Sequence, residues 1–432
     1  MTTTANVGEA IAKEVAQKII VQADFLSWRP NTGFDFILGN FPWVRYDRLS
    51  SRYIRWLMKN YSCFRGRADL CVPFVQHSLE LLSNKQSRLG FICSNRFAFC
   101  EYGKRLRELI GSDFRITKVM DLTDAEPFRQ ELNAYPWSYV VQRDDGRTSN
   151  VQVYKFRANS SFVKKINQKR VEYSDFLTNQ WHLNRRLVNL WKKVTRKHPA
   201  KLGDEEFGID VKVGLATGAD KIFINPPNDA CIEHELLTPI MLASDFKEKP
   251  NSTRTVLLNT WDPKNPDKTI KLKDWPHASR YLRRNRKTLE SRHVAKKHPR
   301  EWYRLIDHLD PSVTNAQKLV FPSLRRRLEV YFETGSHAIH HNCYYAIKSN
   351  STGPTLRAIG ALLSSDIVRE LASTLAITFR GNAQRLMKSD FLEIPMPESA
   401  ILEKRENEFE DAFGRQDSRE INALAQEAYE LT

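Results

Sequence analysis

Apolar and polar positions follow two different periods over the first 150 residues. An apolar run at 34–39, ended by Gly39, predicts a buried strand. At 69–82 apolar side chains recur every three or four positions, which predicts a helix with Pro73 in its first turn. Further strands are expected at 88–93, 115–122 and 137–142, and a further helix at 101–110. Strands that alternate with helices predict a wound α/β sheet.

The pattern changes after residue 150, and the chain divides into four predicted parts. Residues 1–150 form the sheet domain, and residues 151–200, which are strongly basic, predict a helical connector. Residues 201–400 mix short strands with loops rich in proline and asparagine, which predicts a second, mixed α/β domain. Residues 401–432 are acidic and amphipathic, so a C-terminal helix is expected there.

The net charge of the chain limits the class of binding partner that is expected. The chain has 67 Lys plus Arg against 51 Asp plus Glu, a net charge of +16. Residues 401–432 carry a net −5, which leaves +21 on the other 400 residues. A protein this basic predicts a polyanionic partner, with nucleic acid first and an anionic membrane surface as the weaker alternative.

Other features of composition exclude several classes of protein. No apolar run reaches the roughly 18 residues of a membrane-spanning helix, and the first residues lack a secretory signal pattern, so no membrane partner is expected. The six cysteines form no C-x-x-C pair, so neither a metal site nor a disulfide framework is predicted. These features favour a cytoplasmic protein without a bound metal.

A short loop directly after the first predicted strand carries the candidate chemistry. It consists of Asn40, Phe41, Pro42 and Trp43. Ligands of open α/β sheets bind beyond the C-terminal ends of strands. The Asn40 amide oxygen and the Phe41 carbonyl can accept two hydrogen bonds from an exocyclic amino group, while Trp43 can stack on an extruded base. Taken alone, four such residues more often form an ordinary Asn-Pro turn with a packed tryptophan.

Seven further segments accompany this loop in the order found in one family. With NFPWVR (40–45), the chain resembles the gamma-class amino-methylating DNA methyltransferases, especially the adenine-specific type IIG enzymes. The other resembling segments are ADFLSW (23–28), GRADLCVPF (66–74), RLGFICSNRF (88–97), EYGKRLRELI (101–110), VMDLTDAEPFRQELNAYPWSYVV (119–141), KVGLATGADKIFI (212–224) and FRGNAQRLMKSDFLEIPMP (379–397). The resemblance covers roughly residues 20–400, and the shared order makes it specific.

The resemblance implies a fold, a reaction and a set of site residues. The fold would be a partial doubly wound, Rossmann-like methyltransferase sheet followed by a mixed α/β target-recognition domain. The reaction would transfer a methyl group from S-adenosylmethionine to the exocyclic amino group of adenine in double-stranded DNA. Asn40 to Trp43 would form the catalytic loop, Asp24 and Phe25 would bind the donor, and Trp43 with Phe128 would stack on the base.

Two departures from the family pattern bear on activity. The first proline of the family's catalytic motif is Phe41 here, and phenylalanine does not fix φ as proline does. The family's Gly-rich donor-binding turn has no counterpart, since no two of the 17 glycines are separated by one residue. The donor site is therefore expected to be incomplete. A split enzyme with a complementary subunit, a truncated relic, and a non-catalytic DNA-binding or specificity subunit of a restriction-modification or phage-defence system are the three alternatives.

Clustered cations in the second domain are the candidate DNA contacts. Residues 280–304 hold ten Arg or Lys against two glutamates, with Trp302 and Tyr303 among them. Phosphate contact is the functional interpretation of such a cluster, and a solvated helix face is the alternative. The residues expected to contact DNA are Arg283, Arg284, Arg286, Lys287, Arg325, Arg326, Arg327, Arg380 and Arg385.

Overall fold

The computed structural model describes most of the chain in two compact units, Met1–Arg185 and Arg186–Thr432. The described residues are 19–125, 135–143, 150–159, 162–172, 181, 185–247, 255–378 and 383–431. Each unit is considered by itself below. No helix among these residues is both long and apolar enough to cross a membrane.

One mixed sheet of six strands organises the first unit. The strands are β1 (Phe36–Asn40), β2 (Arg88–Ser94), β3 (Arg115–Asp124), β4 (Pro136–Gln142), β5 (Asn150–Asn159) and β6 (Phe162–Glu172). They lie in the order β1-β2-β4-β3-β5-β6. The β1–β2 and β3–β5 pairs are parallel, and the other pairs are antiparallel. The α/β class expected from the periodicity is confirmed.

Helices cover one face of this sheet. They are α1 (Ser51–Asn60), α2 (Cys71–Glu80), α3 (Arg96–Phe99) and α4 (Lys104–Asp113). Strand side chains alternate between faces, and Leu89, Phe91 and Tyr139 lie in one buried core with the helices. Ile37 and Gly39 face the same way, because they pair with Leu89 and Phe91 in the parallel register.

The opposite face of β1 is uncovered by the described residues. Phe36 is 73% exposed and Leu38 is 86% exposed. β1 is also the last strand of the sheet, so its outer edge has no neighbouring strand among the described residues. An apolar edge of this kind is a site where a further strand can pair.

The expected helical connector at 151–200 is wrong for its first part. Two strands, β5 and β6, extend the sheet to Glu172, and a helix, α5 (Arg185–Lys197), begins only later. Val151 and Val153 are buried while Gln152 between them is partly exposed, which is the two-residue period of a strand. In β6 the apolar residues do not alternate, so that strand has no comparable signal in the sequence.

Short strands in four small sheets form the framework of the second unit. A four-stranded antiparallel sheet has the order β14-β12-β16-β7, two three-stranded sheets have the orders β15-β8-β9 and β13-β18-β17, and β10 pairs with β11. The strands are β7 (Ile209–Val213), β8 (Leu237–Met241), β9 (Val256–Leu258), β10 (Trp261–Asp262), β11 (Asn265–Thr269), β12 (Lys318–Pro322), β13 (Leu324–Arg325), β14 (Tyr331–Glu333), β15 (Ala338–Ile339), β16 (Cys343–Lys348), β17 (Ile377–Thr378) and β18 (Gln384–Arg385).

Helices of the second unit pack around two main cores. They are α6 (Asp220–Phe223), α7 (Pro276–Arg284), α8 (Arg286–Glu290), α9 (His293–Lys297), α10 (Pro311–Asn315), α11 (Leu356–Leu363), α12 (Asp366–Leu375), α13 (Lys388–Leu392), α14 (Ser399–Lys404), α15 (Glu406–Gly414) and α16 (Ser418–Ala428). The acidic segment 401–432, expected as a separate helix, forms most of α14 to α16. Leu402, Phe409 and Leu424 share the core of α11 and β12, so this segment belongs to the second unit.

A buried ion pair joins two strands of the four-stranded sheet. Lys318 of β12 is fully buried and Glu333 of β14 is 3% exposed. The Lys318 ammonium donates to the Glu333 carboxylate at 2.6 Å and to the carbonyls of Thr314 and His337 at 3.0 and 3.3 Å. All three ammonium protons thereby have acceptors, which is the condition for a buried charge to be tolerated.

Candidate active site

Asn40 is the last residue of β1 and lies on the uncovered face of the sheet. It is exposed, and it shares its face with Leu38 because strand residues two apart point the same way. The helices lie on the other side, so its amide is accessible from solvent. This is the strand end where sequence analysis placed the ligand.

Phe41 turns back into the core. Its side chain is 6% exposed, and its ring stacks on Phe91 at 5.4 Å and lies 5.8 Å from Phe74. Its backbone N–H donates to the Ile92 carbonyl at 3.1 Å, which extends the β1–β2 pairing by one residue. A side chain at Gly39 would collide with the Phe41 ring, since a Cβ there would lie 2.5 Å from it. Phe41 therefore anchors the loop through its side chain, besides offering its carbonyl.

Trp43 contacts Asn40 directly. The indole Nε1–H donates to the Asn40 amide oxygen at 2.9 Å. This bond fixes which end of the amide is the acceptor, and it shows that an N–H donor reaches this oxygen from the solvent side. The Trp43 ring is partly exposed.

The segment GRADLCVPF holds the far end of the loop. The Leu70 N–H donates to the Val44 carbonyl at 2.9 Å, next to Trp43. The neighbouring Asp69 is 6% exposed; it accepts from the Tyr102 hydroxyl at 2.9 Å and lies 3.4 Å from the Arg96 guanidinium. Burial raises the pKa of Tyr102 well above its usual value. Sequence reasoning did not single out this triad, although all three residues lie in segments of the resemblance.

Of the expected donor-binding residues Asp24 and Phe25, Phe25 packs against the same aromatic group as the loop. Phe25 stacks on Phe74 at 5.3 Å and meets His77 edge-on at 4.9 Å, so Phe74 contacts both Phe25 and Phe41. The Asp24 carboxylate is exposed and accepts from the Leu26 N–H at 3.0 Å. The structure thus joins these two segments through one ring. Phe128, the second expected stacking residue, and Arg380 lie outside the described residues.

The basic segment 280–304 divides into exposed and buried cations. Arg283, Arg284, Arg286 and Lys287 are exposed on α7 and α8, as expected for phosphate contacts. Arg286 pairs with Glu290 at 2.8 Å and its guanidinium lies 5.3 Å from the centre of the Trp302 ring.

Two arginines of this segment have structural roles instead. Arg292 is 9% exposed and donates to the carbonyls of Thr217, Leu289 and Trp302 at 2.9, 3.1 and 2.9 Å. Burial lowers the pKa of Arg292 to about 10. Arg304 lies over the Trp261 ring at 4.8 Å and is half-buried. Trp302 itself is buried, so it is not available for stacking on a base.

The second basic run, 325–327, is divided in the same way. Arg325 is half-buried, pairs with Glu329 at 2.9 Å and donates to the carbonyls of Leu324 and Ala243. The Arg325 guanidinium is thus engaged within the fold, and its expected contact with DNA stays a prediction. Arg326 and Arg327 are exposed. Arg385, also exposed, pairs through its backbone with Leu324, so the two expected segments meet in one small sheet.

One group of side chains in the described residues has a metal-like composition: Asp220, His340 and His341. The Asp220 carboxylate lies 3.2 Å from Nε2 of His340, which is buried. The Asn342 N–H donates to Nδ1 of His340 at 3.4 Å. The Asp220 carboxylate also accepts from the Thr217 hydroxyl, so this group lies at the 217–220 turn.

Comparison with known proteins identifies the class of protein. The model of the Eco57I restriction-modification methylase family matches residues 4–128. The chain belongs to the type II methyltransferases of restriction-modification systems, since one member is 30% identical over 96% of this chain and 77% of its own length. That relative is the type II methyltransferase M.BstVI of Geobacillus stearothermophilus.

Two further similarities extend this result. M.XhoI of Xanthomonas vasicola is 28% identical over 410 residues, which cover 90% of this chain and 73% of that protein. The solved structure of the type IIL restriction-modification enzyme MmeI in complex with DNA has a TM-score of 0.63 at 12% identity. This chain is covered to 92% and spans 54% of the MmeI chain, which supports the fold.

Membership implies S-adenosylmethionine as the methyl donor, and the described residues fit part of that molecule. Asp24 offers an exposed carboxylate to an amino group, and Phe25 offers an aromatic ring beside it. A Gly-rich turn for close approach of the backbone is missing from the sequence.

Proposed function

We propose that this chain supplies the catalytic loop and the target-recognition part of a site-specific DNA adenine methyltransferase. The observation that carries the proposal is the position of Asn40, exposed at the C-terminal end of β1 with its amide oxygen accepting the Trp43 indole N–H at 2.9 Å. An N–H donor already occupies the place that the adenine amino group would take. A carbonyl oxygen has two lone pairs, so the amino group can join or replace the indole.

Each residue of the loop has a different proposed role in positioning the base. Asn40 and the Phe41 carbonyl accept the two amino protons, which directs the nitrogen lone pair away from the loop. Phe41 holds the loop on Phe91 and Phe74, so the carbonyl and the amide keep a fixed separation. Trp43 stacks on the extruded base, a contact worth about 1–3 kcal/mol.

S-adenosylmethionine, when bound, supplies an electrophilic methyl group on a positively charged sulfur. Asn40 and the Phe41 carbonyl would hold the adenine amino nitrogen so that its lone pair is directed toward this methyl group. The chain contributes orientation and hydrogen bonding to this step, without a covalent enzyme intermediate. Asp24 and Phe25 are proposed to hold the donor's adenine.

We also infer that a complementary polypeptide supplies the Gly-rich part of the donor site. The outer edge of β1 and the exposed Phe36 and Leu38 support this inference. A parallel strand added at this edge would pair with β1 and bring its own C-terminal end next to Asn40. A layer packed over Phe36 and Leu38 would complete the doubly wound arrangement.

A non-catalytic DNA-binding or specificity subunit is the alternative. The observation that favours it is the absence of a Gly-rich turn from the sequence. Donor binding separates the two functions. Calorimetry on the isolated chain should detect little or no binding of S-adenosylmethionine, and adding the complement should restore it. Micromolar binding by the chain alone would contradict the proposed incomplete site.

Asn40→Ala tests the catalytic assignment in the reconstituted enzyme. Loss of one well-placed acceptor should lower the methylation rate about 100-fold or more while DNA affinity stays nearly constant. Asn31→Ala, in an exposed loop of the same unit, is the matched control and should leave the rate unchanged. Equal rates for wild type and Asn40→Ala would favour the non-catalytic alternative. Trp43→Ala should lower 2-aminopurine fluorescence at the target position.

A further inference from the structure

A row of cations follows the catalytic loop on a surface that sequence analysis did not assign. Residues 41–68 hold seven Arg or Lys and a single acid, Asp47. Arg52, Arg55 and Lys59 lie on α1 with spacings of three and four, and Arg48 precedes them in a short 3-10 turn. These four residues are named the α1 stripe. All four are exposed.

The orientation of α1 is set by its apolar side. Leu57 is fully buried, and Tyr53, Ile54 and Met58 pack against the same core. Residues three, four and seven apart share one helix face, so Arg52, Arg55 and Lys59 point together away from that core. The helix is fixed in place, and its charged face is open to solvent.

The helix dipole accounts for Lys59, which lies in the last turn of α1, but not for the other cations. Arg52 lies in the first turn of α1, which has no acidic residue and where the helix dipole disfavours a cation. Like charges three or four residues apart also repel each other. Among the described residues, none of the four stripe cations forms an ion pair, whereas Asp47 is paired with Arg67 and Arg45. The arrangement fits an anionic partner outside the chain.

We propose that the α1 stripe binds the phosphate backbone of duplex DNA beside the target adenine; this proposal rests on the proposed function. Arg52 and Lys59 are about 10 Å apart along the helix, so they can contact separate phosphates of one DNA strand. Trp43 and Arg48 are five residues apart, so their Cα atoms lie at most about 18 Å from each other. The α1 stripe therefore begins within that distance of the loop. Such contacts would hold the strand from which the base is extruded. An anionic membrane is a poorer partner, since the apolar side of α1 is already buried.

The test measures DNA affinity against salt for the full chain. The variant Arg52→Ala/Arg55→Ala/Lys59→Ala removes three exposed cations. The control Lys85→Ala/Lys104→Ala/Lys118→Ala removes the same charge from exposed positions of the same unit outside the stripe. Alanine is a strong helix former, and unchanged circular dichroism would verify that α1 remains folded.

The stripe variant should lower the log–log salt slope by about 2.7, or 0.9 for each lost contact. Between about 50 and 200 mM salt, wild type should therefore lose about 40-fold more affinity than this variant. The charge-matched control should keep nearly the wild-type slope. Ethylation interference should also disappear at phosphates next to the target adenine.

Each other outcome has a definite meaning. If wild type binds duplex DNA with a steep slope and the stripe variant keeps that slope, the stripe proposal is overturned while the proposed function stands. If both triple variants lower the slope equally, the effect is one of net charge and the stripe proposal is again overturned. If wild type has no salt-dependent affinity for duplex DNA, the proposed function fails together with the stripe. Retention on anionic vesicles without DNA affinity would assign the stripe to a membrane.

Discussion

The two units use their polar side chains in opposite ways. The second unit buries the charged side chains Lys318, Glu333 and Arg292. Their hydrogen bonds are made to other groups of the same unit. In the first unit, Asn40 and the α1 stripe face solvent on a framework whose outer strand edge is open among the described residues. The comparison teaches that burial distinguishes the polar residues that hold the fold from the exposed ones that stay available to a partner. Substitutions should therefore separate the two properties.

Glu333→Gln should produce the largest loss of stability. The variant leaves the buried Lys318 ammonium without its counter-charge, which should lower the free energy of unfolding of the second unit by about 3–5 kcal/mol. Chemical denaturation followed by fluorescence measures the loss. Glu235→Gln, at an exposed position of the same unit, should change stability by less than about 0.5 kcal/mol. Equal losses in both variants would mean that the ion pair is not what holds this sheet.

Lowering the pH should remove the stabilisation that the Lys318–Glu333 ion pair provides. Burial opposes ionisation of Glu333, but hydrogen bonds from His337 and Lys318 hold its pKa at about 2, below the usual 4.5. A lowered carboxyl pKa stabilises the fold above pH 4.5, and the contribution is lost as the pH falls through 2. Wild type should lose on the order of 3 kcal/mol over this interval through Glu333. Glu333→Gln should lack that part of the acid dependence, and parallel acid curves would contradict the assignment.

Phe41→Pro tests whether burial also marks a stabilising residue in the first unit. Phe41 is buried, whereas its loop neighbours are exposed or partly exposed. Proline restores the family motif but removes the N–H that donates to Ile92 and the ring packed on Phe91. We expect a loss of about 2–4 kcal/mol in unfolding free energy. Phe41→Leu keeps the N–H and should lose about 1 kcal/mol. A proline variant as stable as wild type would mean that the ring is not an anchor.

Arg292→Met and Arg284→Met compare a buried and an exposed cation of one basic segment. The expected loss of stability is smaller than for the variants above. Arg292→Met leaves three carbonyls without their donor and should lower stability by about 2–3 kcal/mol. Arg284→Met should change stability by less than about 0.5 kcal/mol but weaken DNA binding. The reverse result would show that burial does not distinguish structural from binding cations here. Thermal denaturation and salt-dependent DNA binding together decide the matter.

The elements of the first unit were predictable where hydrophobic periodicity was regular. The strands at 34–39 and 88–93 correspond to β1 and β2, and the helix at 69–82 to α2, within a few residues at their ends. The helical interpretation of 151–172 failed because the apolar residues of β6 do not alternate and its basic residues were taken as a helical feature. Where periodicity is weak, composition is a poor guide.

The loop residue Asn40 could be singled out from the sequence, whereas the roles of individual residues in the basic segments could not. Asn40 could be singled out because the chemistry requires a particular amide at a particular strand end. Arg283 and Arg292 are indistinguishable by residue type, and only packing shows that the second lies beneath Trp302 and the 217–220 turn. The role of the Phe41 ring was missed for a similar reason, since its partners Phe74 and Phe91 lie far from it in sequence.

The exposed edge of β1 has a consequence for how the protein must be produced. The strand FILGN contains neither lysine nor proline, the residues that natural sheet edges use against self-association. At high protein concentration, copies whose edge stays uncovered would therefore pair edge to edge, with Phe36 and Leu38 providing the contact. Solubility in the cell would then depend on synthesis together with whatever covers this edge, and an excess of this chain would be removed by chaperones and proteases.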